Sequence, residues 1–216
     1  QRKEEIEMRI KLLVAGAVTG LLATAGTASA KAPPAGGARP LPVAEATALA
    51  SAGGSSGSTT WAVSAEEALA AASQPDATVS VAPGLSLREA VGLDSTASPA
   101  AIDATAASGC AANAAWWQWG TWPYEQRITD TTYWCAVFGD HITYRSSSVT
   151  GGGTLCSTNG TGSALISGGI GYSWFVMRSS AGFSCPTVIP WITLHPSHYL
   201  DVSRNSWGNS AIVATG

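Results

Sequence analysis

Charge is scarce in this chain. Only 12% of its 216 residues are Asp, Glu, Lys or Arg, with 11 basic against 14 acidic. From residue 110 onward Arg127, Arg145, Arg178 and Arg204 stand against Glu125, Asp130, Asp140 and Asp201, a neutral balance. With no basic patch to hold a phosphate backbone, nucleic acid is a poor partner. Long apolar runs are missing too. Residues 12–26 form one of about 15 residues, short of the roughly 20 a bilayer crossing needs, so no membrane anchor is expected. There is no G-x-S-x-G elbow, no H-E-x-x-H and no Gly-rich phosphate loop, and hence no sign of a cofactor. The four cysteines include no C-x-x-C pair, and spacings of 25, 21 and 29 residues are not those of a metal site.

What is present divides unevenly. All four cysteines (Cys110, Cys135, Cys156 and Cys185) and eight of the nine tryptophans follow residue 109. Upstream, Met8-Arg9-Ile10-Lys11 gives a basic start, residues 12–26 an apolar run, and Ala28-Ser29-Ala30 the small-x-small pattern of a cleavage site. Residues 1–30 therefore read as a signal peptide cut before Lys31, with residues 1–7 an over-extended start ahead of Met8. Loss of residues 1–30 removes four basic and three acidic residues and leaves a net charge of −4. Heavy Ala, Gly and Thr usage with few lysines suggests a bacterial source. Export would place the cysteines where disulfides persist.

Residues 31–60 are dominated by Ala, Pro, Gly and Ser, too little large apolar surface to offset ordering entropy, and read as a flexible linker. Over residues 61–108, Ser64-Ala65-Glu66-Glu67 and Ser86-Leu87-Arg88-Glu89 each match a capping box and predict two short helices. Helices this short are marginal alone. The segment is a spacer if they hang free and a pro-segment if they dock.

Residues 109–216 carry β-branched and aromatic runs punctuated by Gly, Asn and Ser every eight to twelve residues, which predicts an all-β domain, an antiparallel sandwich. About nine strands are expected: around 117–122, then 131–138, 141–149, 154–158, 164–167, 172–178, 188–194, 199–203 and 210–214. Gly139-Asp140 predicts a type II′ hairpin. Four cysteines allow three pairings, and adjacency favours Cys110 with Cys135 and Cys156 with Cys185. Each bridge would close a loop of about 25 to 30 residues and contribute roughly 3 kcal/mol.

Two constellations could carry function. Trp116, Trp117, Trp119, Trp122 and Tyr124 place five rings in nine residues, and alternation sets Trp117 and Trp119 on one face. Exposed flat rings stack on pyranose C–H faces, so Trp117, Trp119 and Trp122 are candidate ligand-binding residues for a cell-wall or environmental polysaccharide. The same rings could instead fill a core. The alternative is a small hydrolase or metalloenzyme using His195, His198 and Asp201, with His141 in reserve. That requires the imidazoles to converge, whereas an extended 195–198 segment would point His195 and His198 to opposite faces. Glu125 with Asp130 or Asp140 shows no pattern of a glycosidase pair. A secreted protein-binding factor is a third class.

Tyr133-Trp134-Cys135 with Gly139 and Ile142, then Tyr172-Ser173-Trp174, Cys185, Pro190-Trp191-Ile192 and Asn205-Ser206-Trp207, resemble the pattern of a group of secreted actinobacterial proteins of unassigned function. The likeness covers roughly residues 110–210. It implies an extracellular β-sandwich and carries no catalytic residues.

Overall fold

A computed structural model describes residues 37–94 and 108–216. The expected signal peptide over 1–30, its cut before Lys31 and the start of the expected linker lie outside the described residues.

Two antiparallel sheets carry the fold. The first has strand order β1-β3-β4-β5-β2, built from β1 (Ser55–Val63), β2 (Thr78–Val81), β3 (Ser108–Trp119), β4 (Gln126–Val137) and β5 (Ile142–Gly152). The second runs β10-β9-β7-β6, from β6 (Ser157–Gly168), β7 (Trp174–Pro186), β9 (Ser197–Asn205) and β10 (Ser210–Thr215), with β8 (Thr193–Leu194) paired to the end of β7. Among the described residues, three short helices, α1 (Val43–Ala50), α2 (Ala65–Ala71) and α3 (Leu87–Ala90), precede β3.

Alternation assigns the faces. Ile128, Asp130, Thr132 and Trp134 of β4 are buried, as are Phe175, Met177, Ser179, Ala181 and Phe183 of β7 and Leu200, Val202 and Arg204 of β9. These rows meet between the sheets. At the centre lies a polar knot. Arg204, fully buried, pairs with the equally buried Asp130 and donates to Asn113 Oδ1 at 2.9 Å. Asp130 also accepts from Thr132 at 2.8 Å and from Ser179. Asn113 in turn donates to Ser58 Oγ, Thr59 O and Thr60 Oγ1 of β1. A buried charge is tolerated when paired and hydrogen-bonded, and the knot provides both through Arg204 Nη2, while Nε and Nη1 have no partner among the described residues.

The structure departs most from the sequence expectation upstream of residue 108. From residue 37 the expected linker carries α1, and from Ser55 it carries a nine-residue strand. β1 pairs with β3 from Ser55↔Gln118 to Val63↔Cys110. Ser58 and Thr60 engage the Asn113 amide yet stay exposed on this edge strand, so no apolar alternation marks it. The two capping boxes form as expected, on Ser64–Glu67 and Ser86–Glu89. Their helices dock. Tyr144 Oη donates to Ala68 O at 2.6 Å, and Thr143 Oγ1 donates to Ala90 O at 2.8 Å. α2 and α3 thereby cover Cys135, Tyr144 and Cys110 on the outer face of the first sheet. Residues 37–94 are thus part of the fold, supplying two strands of one sheet.

Downstream, the all-β expectation holds with adjusted boundaries. The cysteines pair Cys110–Cys135 and Cys156–Cys185. The first bridge joins directly opposed residues of β3 and β4. β3 begins nine residues before its expected start at 117, through an Ala-rich stretch. The expected strands 154–158 and 164–167 merge into β6, with register shifts at Asn159 and Ile166. Of 188–194 only β8 is extended. The β4–β5 hairpin forms, but its turn sits one residue early: Asp140 N donates to Val137 O, which makes Gly139 the third turn residue at φ 74°. Positive φ at that place is type II geometry, not II′, and glycine meets it without strain.

Candidate functional site

Three loops converge at one end of the sandwich: β4–β5, β6–β7 and β9–β10. Backbone hydrogen bonds knit them together. Ile142 N donates to Tyr172 O and Gly171 N to Ile142 O, each at 2.9 Å, and Ser206 N donates to Ser173 O at 2.8 Å. Trp134 Nε1 donates to Asn205 O at 3.0 Å. Asn205 Oδ1 accepts from Trp207 N and Asn209 N, closing the β9–β10 turn.

This framework presents four aromatic rings to solvent. Trp207 is 67% exposed, Tyr172 59%, and Trp174 and Phe138 41% each. Two of them lie on glycines. A Cβ at Gly139 would stand 2.5 Å from the Trp207 ring, and one at Gly109 would stand 2.6 Å from the Phe138 ring. A larger residue at either place would have to push the ring aside, so each ring is seated against backbone. The acidic and imidazole side chains on the three loops are Asp140 and His141, 2.9 Å apart. Such a surface offers apolar faces with hydrogen-bonding edges and little net charge.

The tryptophans singled out from the sequence occupy the other end and differ in exposure. Trp117 and Trp119 face inward on β3, as alternation predicts, and pack half-buried against the core. Their rings are 6.3 Å apart and tilted by 48°. Trp119 stacks on His198 at 4.3 Å and 8°. Trp122 is exposed in the β3–β4 loop. Trp116 lies on the opposite face, under the Arg127 guanidinium at 4.2 Å, and Tyr124 is buried, donating to Pro186 O.

The histidines and Asp201 do not converge. His198 points inward, its Nε2 2.8 Å from Gln126 Oε1, and burial holds its imidazole below the ordinary range. His195 meets Ser184 Oγ at 3.4 Å on the outer face of the second sheet. His141 belongs to the far loop end. Asp201 is engaged by Arg178 in a two-pronged ion pair at 2.8 and 2.7 Å. The carboxylates are equally dispersed: Asp130 lies in the central knot, Glu125 bonds Thr154 and Asp140 bonds His141. Among the described residues no group of three or more His, Cys, Asp or Glu is arranged to hold a metal, and no helix is long and apolar enough to cross a membrane.

Phe138, Tyr172, Trp174 and Trp207 are not among the ligand-binding candidates read from the sequence because they come from three connections far apart in the chain. A signal was present: Phe138-Gly139, Gly171-Tyr172 and Trp207-Gly208 all place a ring beside a glycine at a strand end. Comparison with protein-family models, curated proteins and solved structures found no match to this chain, so the resemblance to secreted actinobacterial proteins stands on its residues alone.

Proposed function

We propose that this protein is an exported recognition module that holds a neutral polysaccharide, of cell wall or surroundings, against Phe138, Tyr172, Trp174 and Trp207. The supporting observation is the exposure of four rings on hydrogen-bonded loops at one end of the sandwich. Pyranose C–H faces pack on aromatic rings, and hydroxyls reach the polar edges around them. Large apolar side chains left exposed on neighbouring loops mark a candidate contact site, and loops already fixed in place lose little entropy on binding. The near-absence of charge on these loops favours an uncharged ligand. Two disulfides fit an oxidising compartment, and the signal-like N-terminus supplies the route to it.

The test is retention on insoluble polysaccharides together with a glycan array. Wild type should bind, Trp207→Ala and Tyr172→Ala should lose about tenfold in affinity, about 1.4 kcal/mol, and Trp122→Ala should bind as wild type does. Absence of any glycan binding, or loops that tolerate both alanines without loss, refutes the reading. Capture of a secreted protein in place of a glycan would assign the same surface to a protein partner.

A further inference from the structure

At the end of the sandwich away from the aromatic loops, a hollow of about 350 Å³ lies between α1 and the segment that leads into β9. Its lining includes the stacked Trp119 and His198, Leu194 and Pro196, and Thr47 and Ala50 of α1. Among the described residues that line it, none is Lys, Arg, Asp or Glu.

We propose that this hollow is a binding site for a small, uncharged, ring-bearing apolar molecule that packs against the Trp119–His198 pair. Its volume falls at the lower end of the range for small-molecule sites. A charged ligand would give up hydration there and meet no counter-charge. A monosaccharide fares little better. Of the polar side chains at the hollow, Thr47 Oγ1 already donates to Val43 O at 2.8 Å, and His198 Nε2 is committed to Gln126. That leaves Ser51 and the Trp119 indole N–H for a ring bearing a hydroxyl on nearly every carbon. A flat apolar ring, by contrast, extends an aromatic stack that is already in place.

The site is also fixed in advance. Thr121 N donates to Leu49 O at 2.9 Å and Gly120 N to Ala52 O at 3.1 Å, which ties α1 and its exit to the β3–β4 loop. Leu41 N donates to Tyr124 Oη at 2.8 Å, anchoring the entry. Gln126 sets the imidazole plane. Little ordering is left for a ligand to impose.

The experiment follows indole N–H signals of the full chain by NMR, with the Trp119 signal identified by Trp119→Phe. Three probes are added: indole, its charged counterpart indole-3-acetate, and methyl glucoside. Indole should shift the Trp119 signal saturably, indole-3-acetate should bind at least about tenfold more weakly, and methyl glucoside should leave it in place. Thr47→Phe, on the exposed side of α1, should fill the hollow and weaken indole by at least about tenfold with an unchanged melting temperature. Ala52→Leu replaces it as the blocking variant if Thr47→Phe melts early. No shift with millimolar indole, an indole affinity unaffected by blocking, or preference for either of the other probes overturns the assignment. Glycan binding at the far loops is unaffected by either outcome.

Discussion

Breaking the central ion pair tests the packing argument most directly. Asp130 and Arg204 are both fully buried, and Asp130 gathers Arg204, Thr132 and Ser179 while Arg204 also holds Asn113. Asp130→Ala strands a guanidinium between the sheets. Removing one partner of such a pair costs about 3–5 kcal/mol, a large share of the about 5–15 kcal/mol that holds a domain together. With a urea slope of about 2 kcal/mol per molar, the unfolding midpoint should fall by about 2 M. Arg204→Met alone should be similarly harmful. The double variant Asp130→Leu/Arg204→Met removes both charges, leaving the Asn113 carbonyl and the Ser179 hydroxyl each short of a partner at about 1–3 kcal/mol. It should therefore be no more harmful than one single variant, with a coupling energy above about 2 kcal/mol in the cycle. Urea titration followed by tryptophan fluorescence reads all four proteins. A single variant within about 0.5 M of wild type, or a double variant as harmful as the two singles added together, refutes the reasoning.

The other predictions concern protons, covalent staples and the upstream strands. Because burial lowers the folded-state His198 value below 6.5, the unfolded chain binds more protons from that lowered value up to 6.5, and stability should fall as pH drops through that window. The urea midpoint of wild type should drop on acidification from about pH 7.5 to 5, and His198→Phe, which keeps a ring on Trp119, should remove part of that drop; an identical pH profile for the variant refutes the assignment. Replacing Cys156 and Cys185 together by alanine opens a loop closed over a separation of 29 residues and should cost about 3 kcal/mol, read by the same titration; a loss under about 1 kcal/mol would contradict it. A fragment starting at residue 108 loses β1, β2 and the helices over Cys135 and Tyr144, and should fail to unfold cooperatively or should aggregate in size-exclusion chromatography. A folded, monomeric 108–216 fragment would restore the spacer reading.

What the sequence by itself determined is local or covalent. The capping boxes at Ser64 and Ser86 form because both partners lie within three residues, and the Cys110–Cys135 and Cys156–Cys185 bridges join cysteines adjacent in order. Alternation from Ile128 to Trp134 carries the β pattern because one face of β4 lies against the opposing sheet. It likewise separates His195 from His198, since three residues along an extended chain turn a side chain to the opposite face. Only the tertiary structure decided the rest. β1 is a strand because Asn113, more than fifty residues away, offers its amide to Ser58, Thr59 and Thr60, and no local pattern records that partner. Whether the helices dock is settled by Tyr144 and Thr143 reaching their carbonyls. The choice between core and surface for the rings was equally non-local. Trp119 turns inward because His198 and the α1 hollow receive it, whereas Trp207 and Tyr172 stay in water because the backbone beneath them is closed by hydrogen bonds between loops distant in sequence.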